Sequence, residues 1–140
     1  MSYSGRCACD AVKIAIEGEP VVVRQCWCRH CQQLGGGGAT VNAIFPTQGV
    51  RAEGPVRWNE HLADSGNTLR WGFCAECGSQ LFAISSARPQ FQVVRLGAID
   101  QPHGLRPQAA IWTAEAPEWA VLDPELERLP GQPQPPPRPG

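Results

Sequence analysis

Val21-Val22-Val23-Arg24-Gln25-Cys26-Trp27-Cys28-Arg29-His30-Cys31 is a β-branched run that ends in three closely spaced cysteines. The valines predict a strand, and residues two apart on a strand share a face, which puts Cys26 and Cys28 on one side. Arg29 and His30 then turn the chain so that Cys31 closes on the same centre. Four more cysteines are grouped in the same way, in Cys7-Ala8-Cys9 ahead of this run and in Cys74-Ala75-Glu76-Cys77-Gly78 behind it. Seven is an odd number, so a complete set of intrachain disulfides is excluded. Core thiols scattered for packing would not fall into C-x-C, C-x-C-x-x-C and C-x-x-C groups. The spacing therefore points to metal, and an all-sulfur donor set points to zinc.

A structural zinc takes four protein ligands, whereas a catalytic zinc keeps three and an open position. Four plus three uses every cysteine. Cys26, Cys28 and Cys31 form a local triad, and Cys7 and Cys9, placed on one face if that segment is extended, pair across the fold with Cys74 and Cys77. The rival division joins Cys28 and Cys31 to Cys74 and Cys77 and leaves Cys7, Cys9 and Cys26 without a compact role. Four plus three is the expected division. Gly78 is expected to supply the positive φ of a tight turn beside Cys77.

The rest of the chain is mainly β. Candidate strands fall at 12–16, 21–27, 39–45, 56–58, 69–73, 80–84, 92–96 and 108–112. They are separated by Gly, Pro, Asn and Asp signals. The 12–16 segment alternates only weakly, so its outward face is open. A short helical turn is expected near 30–34, ended by Gly35-Gly36-Gly37-Gly38. That glycine run is either a flexible connector, the preferred reading, or a place where substrate approaches the metal closely. His30 lies among the ligands and is the candidate to approach substrate, against a solvent-facing turn residue. His103 is expected at the surface, and the five tryptophans are expected mostly in the core, with Trp27 a candidate to line the open site.

A chain of 140 residues fits one domain, here residues 1–129. Residues 130–140 hold six prolines in eleven residues and are expected to form a disordered or polyproline tail. The net charge of −1 argues against a nucleic-acid binder. No run approaches the ~18 apolar residues a membrane helix needs. The N-terminus has no apolar leader, which makes the cytoplasm the expected compartment.

Gly5-Arg6-Cys7-Ala8-Cys9, Cys26-Trp27-Cys28-Arg29-His30-Cys31 and Gly72-Phe73-Cys74-Ala75-Glu76-Cys77-Gly78-Ser79-Gln80-Leu81-Phe82 together resemble the family of glutathione-dependent formaldehyde-activating enzymes and centromere protein V. The likeness continues through Leu96-Gly97-Ala98-Ile99-Asp100, Ile111-Trp112 and Ala116-Pro117-Glu118-Trp119. It implies a zinc-stabilised fold of short coiled antiparallel strands with little helix. It also implies a structural zinc on Cys7, Cys9, Cys74 and Cys77 and a catalytic zinc on Cys26, Cys28 and Cys31. The family's reaction joins formaldehyde to glutathione to give S-hydroxymethylglutathione and is classed as a carbon–sulfur lyase in reverse. Two departures stand out. Asp10 occupies the position after the first C-x-C where the family has glycine, and the segment between Cys31 and Cys74 is short for a dedicated glutathione pocket.

The expected function is zinc-dependent addition of a small, glutathione-like thiol to an aldehyde, or cleavage of such an adduct. A thiol bound at the open position loses its proton and attacks an electrophilic carbonyl. The expected partners are thus a small-molecule thiol and an aldehyde, with no nucleic acid and no membrane. The alternative is a non-catalytic zinc module whose surface engages a protein.

Overall fold

In the computed structural model, which describes residues 1–63 and 66–133, the weak alternation of the second strand is fully expressed. Ile14 and Ile16 are buried, and Lys13, Ala15 and Glu17 face solvent. That strand, β2 (Lys13–Glu17), lies between β1 (Ser2–Arg6) and β5 (Val50–Glu53) in a three-stranded antiparallel sheet. The other strands are β3 (Val22–Cys26), β4 (Thr40–Pro46), β6 (Val56–Leu62), β7 (Thr68–Cys74), β8 (Gln80–Ser85), β9 (Phe91–Arg95), β10 (Ala109–Ile111) and β11 (Glu127–Arg128). They form an eight-stranded sheet in the order β11-β10-β3-β4-β9-β8-β7-β6. The pairings from β3 to β6 are antiparallel. β10, however, runs parallel to both β3 and β11, a departure from the expected all-antiparallel arrangement.

Residues paired across strands share a face, so the register divides the large sheet cleanly. One face carries Val23, Ala43, Val94 and Phe82 in successive strands. These pack with Phe45, Val12, Ile14 and Ile16 as the main core, between the two sheets. The opposite face carries Arg24, Cys26, Asn42, Arg95, Ile44, Val93, Ala83, Trp71 and His61. The helix α1 (Arg29–Leu34), which follows β3, lies at this second face. Its His30 ring touches His61 of β6 and Trp71 of β7, at centroid distances of 4.6 and 5.8 Å. Three strands separate β3 from β7, so these contacts require the sheet to curl toward α1, and the second face is concave.

Several expectations are corrected. Cys7 and Cys9 do not lie on a strand, because β1 ends at Arg6 and the chain turns there. The glycine run ends the helix, as expected, but through hydrogen bonds and not as a loose connector: Gly35 N donates to Cys31 O at 2.8 Å, and Gly37 N to Gln32 O at 2.7 Å. Of the tryptophans only Trp27 is fully buried, and Trp119 is 67% exposed. Trp27, between Cys26 and Cys28 in sequence, packs in the interior. His103 is half-buried, its Nδ1 accepting from the Leu105 amide. Pro130 and Gly131 accept hydrogen bonds from Ala114 and Trp112, and Trp112 Nε1 donates to Gln132 Oε1 at 2.9 Å. The chain is thus tied down as far as Gln132, and residues 134–140 of the expected tail lie outside the described residues. No helix among the described residues is long and apolar enough to cross a membrane.

Candidate metal centres

The first cluster forms where two turns meet. Cys7 and Cys9 come from the turn after β1, and Cys74 and Cys77 from the turn after β7. The four sulfurs lie within 4.8 Å of one another, with Cys7–Cys9 at 3.6 Å and Cys9–Cys74 at 3.8 Å. A tetrahedral ion with Zn–S bonds of about 2.3 Å sets its sulfurs about 3.8 Å apart, so the donors fit zinc. Amides point at the sulfurs: Val12 N donates to Cys7 Sγ at 3.2 Å, and Glu76 N and Cys77 N donate to Cys74 Sγ at 3.4 and 3.5 Å. Hydrogen bonds from Ser79 draw the Cys77 thiol down to about 5, favouring the thiolate a metal needs.

Both turns use left-handed backbone. Gly78 has φ +78°, as its place after Cys77 predicts, and its amide donates to Cys74 O at 2.8 Å. Asp10, standing where the family has glycine, also takes a positive φ, of 66°. Aspartate is one of the few side chains that visit this region routinely. Its carboxylate lies 3.5 Å from both Arg6 and Lys13. The substitution preserves the turn.

The second cluster joins the end of β3 to α1. Cys26 is the last residue of β3, Cys28 caps the helix by accepting from Cys31 N at 3.3 Å, and Cys31 sits one turn in. The three sulfurs lie within 4.8 Å of one another. Cys26 is buried, and Cys28 and Cys31 are half-buried. Hydrogen bonds from Cys26 and Cys28 hold the Cys31 thiol down to about 3, helped by Thr40 and Arg95. Cys26, which supplies the proton to Cys28 and Cys31, is pushed up.

Beneath this triad lies a polar network that sequence reasoning missed. Arg95 is only 7% exposed, and its Nη1 donates to Asn42 Oδ1 at 2.6 Å. Asn42 Nδ2 in turn donates to Thr40 Oγ1 at 3.0 Å. Burial lowers the guanidinium's pKa, while the adjacent Cys31, Cys26 and Cys28 raise it. Asn42 and Arg95 are buried polar residues beside apolar neighbours in their strands (Val41, Ala43 and Val94), and a buried polar side chain is tolerated where it finds a partner. A second missed anchor is Gln32. Its Nε2 donates to the backbone oxygens of Trp27 and Glu115 at 2.8 and 2.9 Å, fixing α1 and with it Cys28 and Cys31. Glu115 Oε1 also accepts from Arg29 N at the helix start. His30 is exposed but lies in α1 and not in a turn, and it joins His61 and Trp71 in a ring cluster that the sequence did not foretell.

A family model described as glutathione-dependent formaldehyde-activating enzyme matches residues 2–115. No curated protein matches. Among solved structures, a Rhodobacter sphaeroides protein is similar, with 20% identity and a TM-score of 0.57, over 74% of this chain and 91% of that one. At that identity the likeness concerns the fold.

Proposed function

Because the chain belongs to the glutathione-dependent formaldehyde-activating enzyme family, we propose that it catalyses the reversible addition of a glutathione-like thiol to formaldehyde or a related small aldehyde. Cys7, Cys9, Cys74 and Cys77 would hold a structural zinc, and Cys26, Cys28 and Cys31 a second. One observation carries the reading: the second cluster gathers three sulfurs without a fourth, on the concave face and beside a buried cation. When bound there, zinc supplies an open coordination position suited to a soft sulfur and lowers the pKa of the thiol that takes it.

The chain's own residues set the conditions. Arg95 places a permanent positive charge against the clustered thiolates, and in this partly dry setting that charge counts for more than it would in water. Gln32 and the Cys28 cap hold α1 so that the triad does not spread when a substrate sulfur arrives. Ile44, Val93 and Ala83 give the face beyond the cluster an apolar wall. In the reaction the thiol gives up its proton, the sulfur–carbon bond forms, and the carbonyl π pair passes to oxygen. That oxygen takes a proton to complete the hydroxymethyl thioether.

The test is a pair of measurements on the zinc-loaded protein. Addition of glutathione should shift backbone amide resonances around residues 26–38, and formaldehyde–glutathione exchange should run faster than the uncatalysed rate. Absence of both effects at millimolar thiol would favour the protein-binding module instead.

A further inference from the structure

We propose that Arg24 and Arg88 form a carboxylate-binding subsite for the thiol substrate, on the same face of the sheet as the three-cysteine cluster. The proposal rests on the reading that this cluster takes a substrate sulfur, and it narrows the substrate class to thiols that carry a carboxylate some distance from sulfur.

The two arginines flank a cavity of about 80 Å³ whose other walls include Ile44, Ala83, Phe91 and Val93. No aspartate or glutamate lines it. Among the described residues neither guanidinium has a hydrogen-bond or ion-pair partner. Two like charges brought together against an apolar wall repel each other and lose water, which is unfavourable without a counter-ion. A carboxylate placed between them relieves both effects, and a guanidinium fork matches its two oxygens. The small volume and apolar walls suit one carboxylate on a short chain. The side chain of Ser85, also at the wall, adds a hydroxyl.

The spacing ties this cavity to the chemistry. Arg24 and Cys26 are two residues apart on β3 and point to the same side, about 7 Å apart along the strand. Ile44 and Val93 pair across β4 and β9 on that face, next to the Asn42–Arg95 pair that underlies the triad. A ligand with sulfur at the triad and carboxylate at the arginines therefore spans about 7–10 Å, a peptide-sized thiol. The walls come from β3, β4, β8, β9 and the loop before β9. Only Ile44 belongs to the segment between Cys31 and Cys74, so the shortness of that segment does not deprive the chain of a pocket.

Calorimetric titration of the full-length zinc-loaded protein with S-methylglutathione isolates the carboxylate contact, because its sulfur has no proton to lose. R24Q and R88Q should each weaken binding about tenfold, the loss typical of one charged hydrogen-bonding partner. R24K and R88K should recover part of it. R51Q, which removes an exposed charge on β5 in the other sheet, should stay within about twofold. The diethyl ester of the probe should bind the parent no better than the free acid binds R24Q/R88Q. Arg88 lies outside the strands, so R88Q is the variant least able to disturb the fold. Equal affinity of parent and R88Q, equal affinity of acid and ester, or no binding by the parent at millimolar probe would each overturn the subsite. Arginine-dependent binding without formaldehyde turnover would keep the subsite and remove the catalytic reading. Turnover unaltered in R24Q/R88Q would remove the subsite and keep the catalysis.

Discussion

Replacing Arg95 with methionine keeps an unbranched apolar stem and removes the charged guanidinium. The substitution deletes the 2.6 Å charged hydrogen bond to Asn42, a contribution of about 1.5–3 kcal/mol. It also strips the Cys31 thiolate of its nearby cation, an interaction of a few kcal/mol at an effective dielectric of about 20. Against these losses stands the several kcal/mol no longer spent in keeping a guanidinium dry at 7% exposure. The net expectation for R95M is a loss of about 3 kcal/mol, the lower end of what breaking a buried charge pair costs. Urea unfolding of the zinc-loaded protein measures it directly, and the melting temperature should fall by about 10 °C. R95K keeps the charge without the planar fork and should fall between parent and R95M. The double variant N42L/R95M should be less destabilised than the sum of its parts, because the two side chains are partners. Stability of R95M within about 0.5 kcal/mol of the parent would refute the argument, since that is the range of an ordinary surface change. R95K as damaging as R95M would show that shape matters there and charge does not.

Gln32→Leu should cost about 2–3 kcal/mol, because it leaves the Trp27 and Glu115 carbonyls without their buried donor. Faster hydrogen exchange at the Cys31 and Gly35 amides, with Cys74 and Gly78 unchanged, would locate that loss in α1. At Asp10 the positive φ is the controlling fact: D10G should melt within a few degrees of the parent, whereas D10V should lose about 1–2 kcal/mol. Equal melts for these two variants would show that the turn does not hold its left-handed backbone in solution.

The clusters were legible because cysteine spacing encodes local geometry: three residues of C-x-C-x-x-C reach one centre through a strand end and a single helical turn. Most strands were legible too, since β-branched runs and Gly or Pro punctuation are local signals. β5 (Val50-Arg51-Ala52-Glu53) was not, because it is an edge strand with one half-buried and three exposed residues and no apolar run. β11 has two residues, both exposed. The parallel pairing of β10 to β3 was hidden for a different reason, as it depends on a long connection and leaves no mark on either strand. Arg95 and Asn42 could be flagged only as polar residues beside apolar neighbours in their strands, and Gln32, in a mostly polar helix, gave no signal at all. The Asn42–Arg95 and Gln32–Glu115 contacts join residues 53 and 83 apart in the chain, and only the fold brings those partners together.

On the proposed reading, one chain holds a closed structural centre and an open reactive one. Zinc content per folded chain, measured for the parent, C28S and C77S, separates the two centres. The parent should carry up to two zinc ions, and C28S should carry one with a melting temperature near the parent's. C77S should fail to fold, since a closed thiolate site contributes on the order of 10 kcal/mol to folding. Two zinc ions on C28S, or a C77S variant that folds like the parent with its full zinc content, would contradict the division of labour between the two clusters.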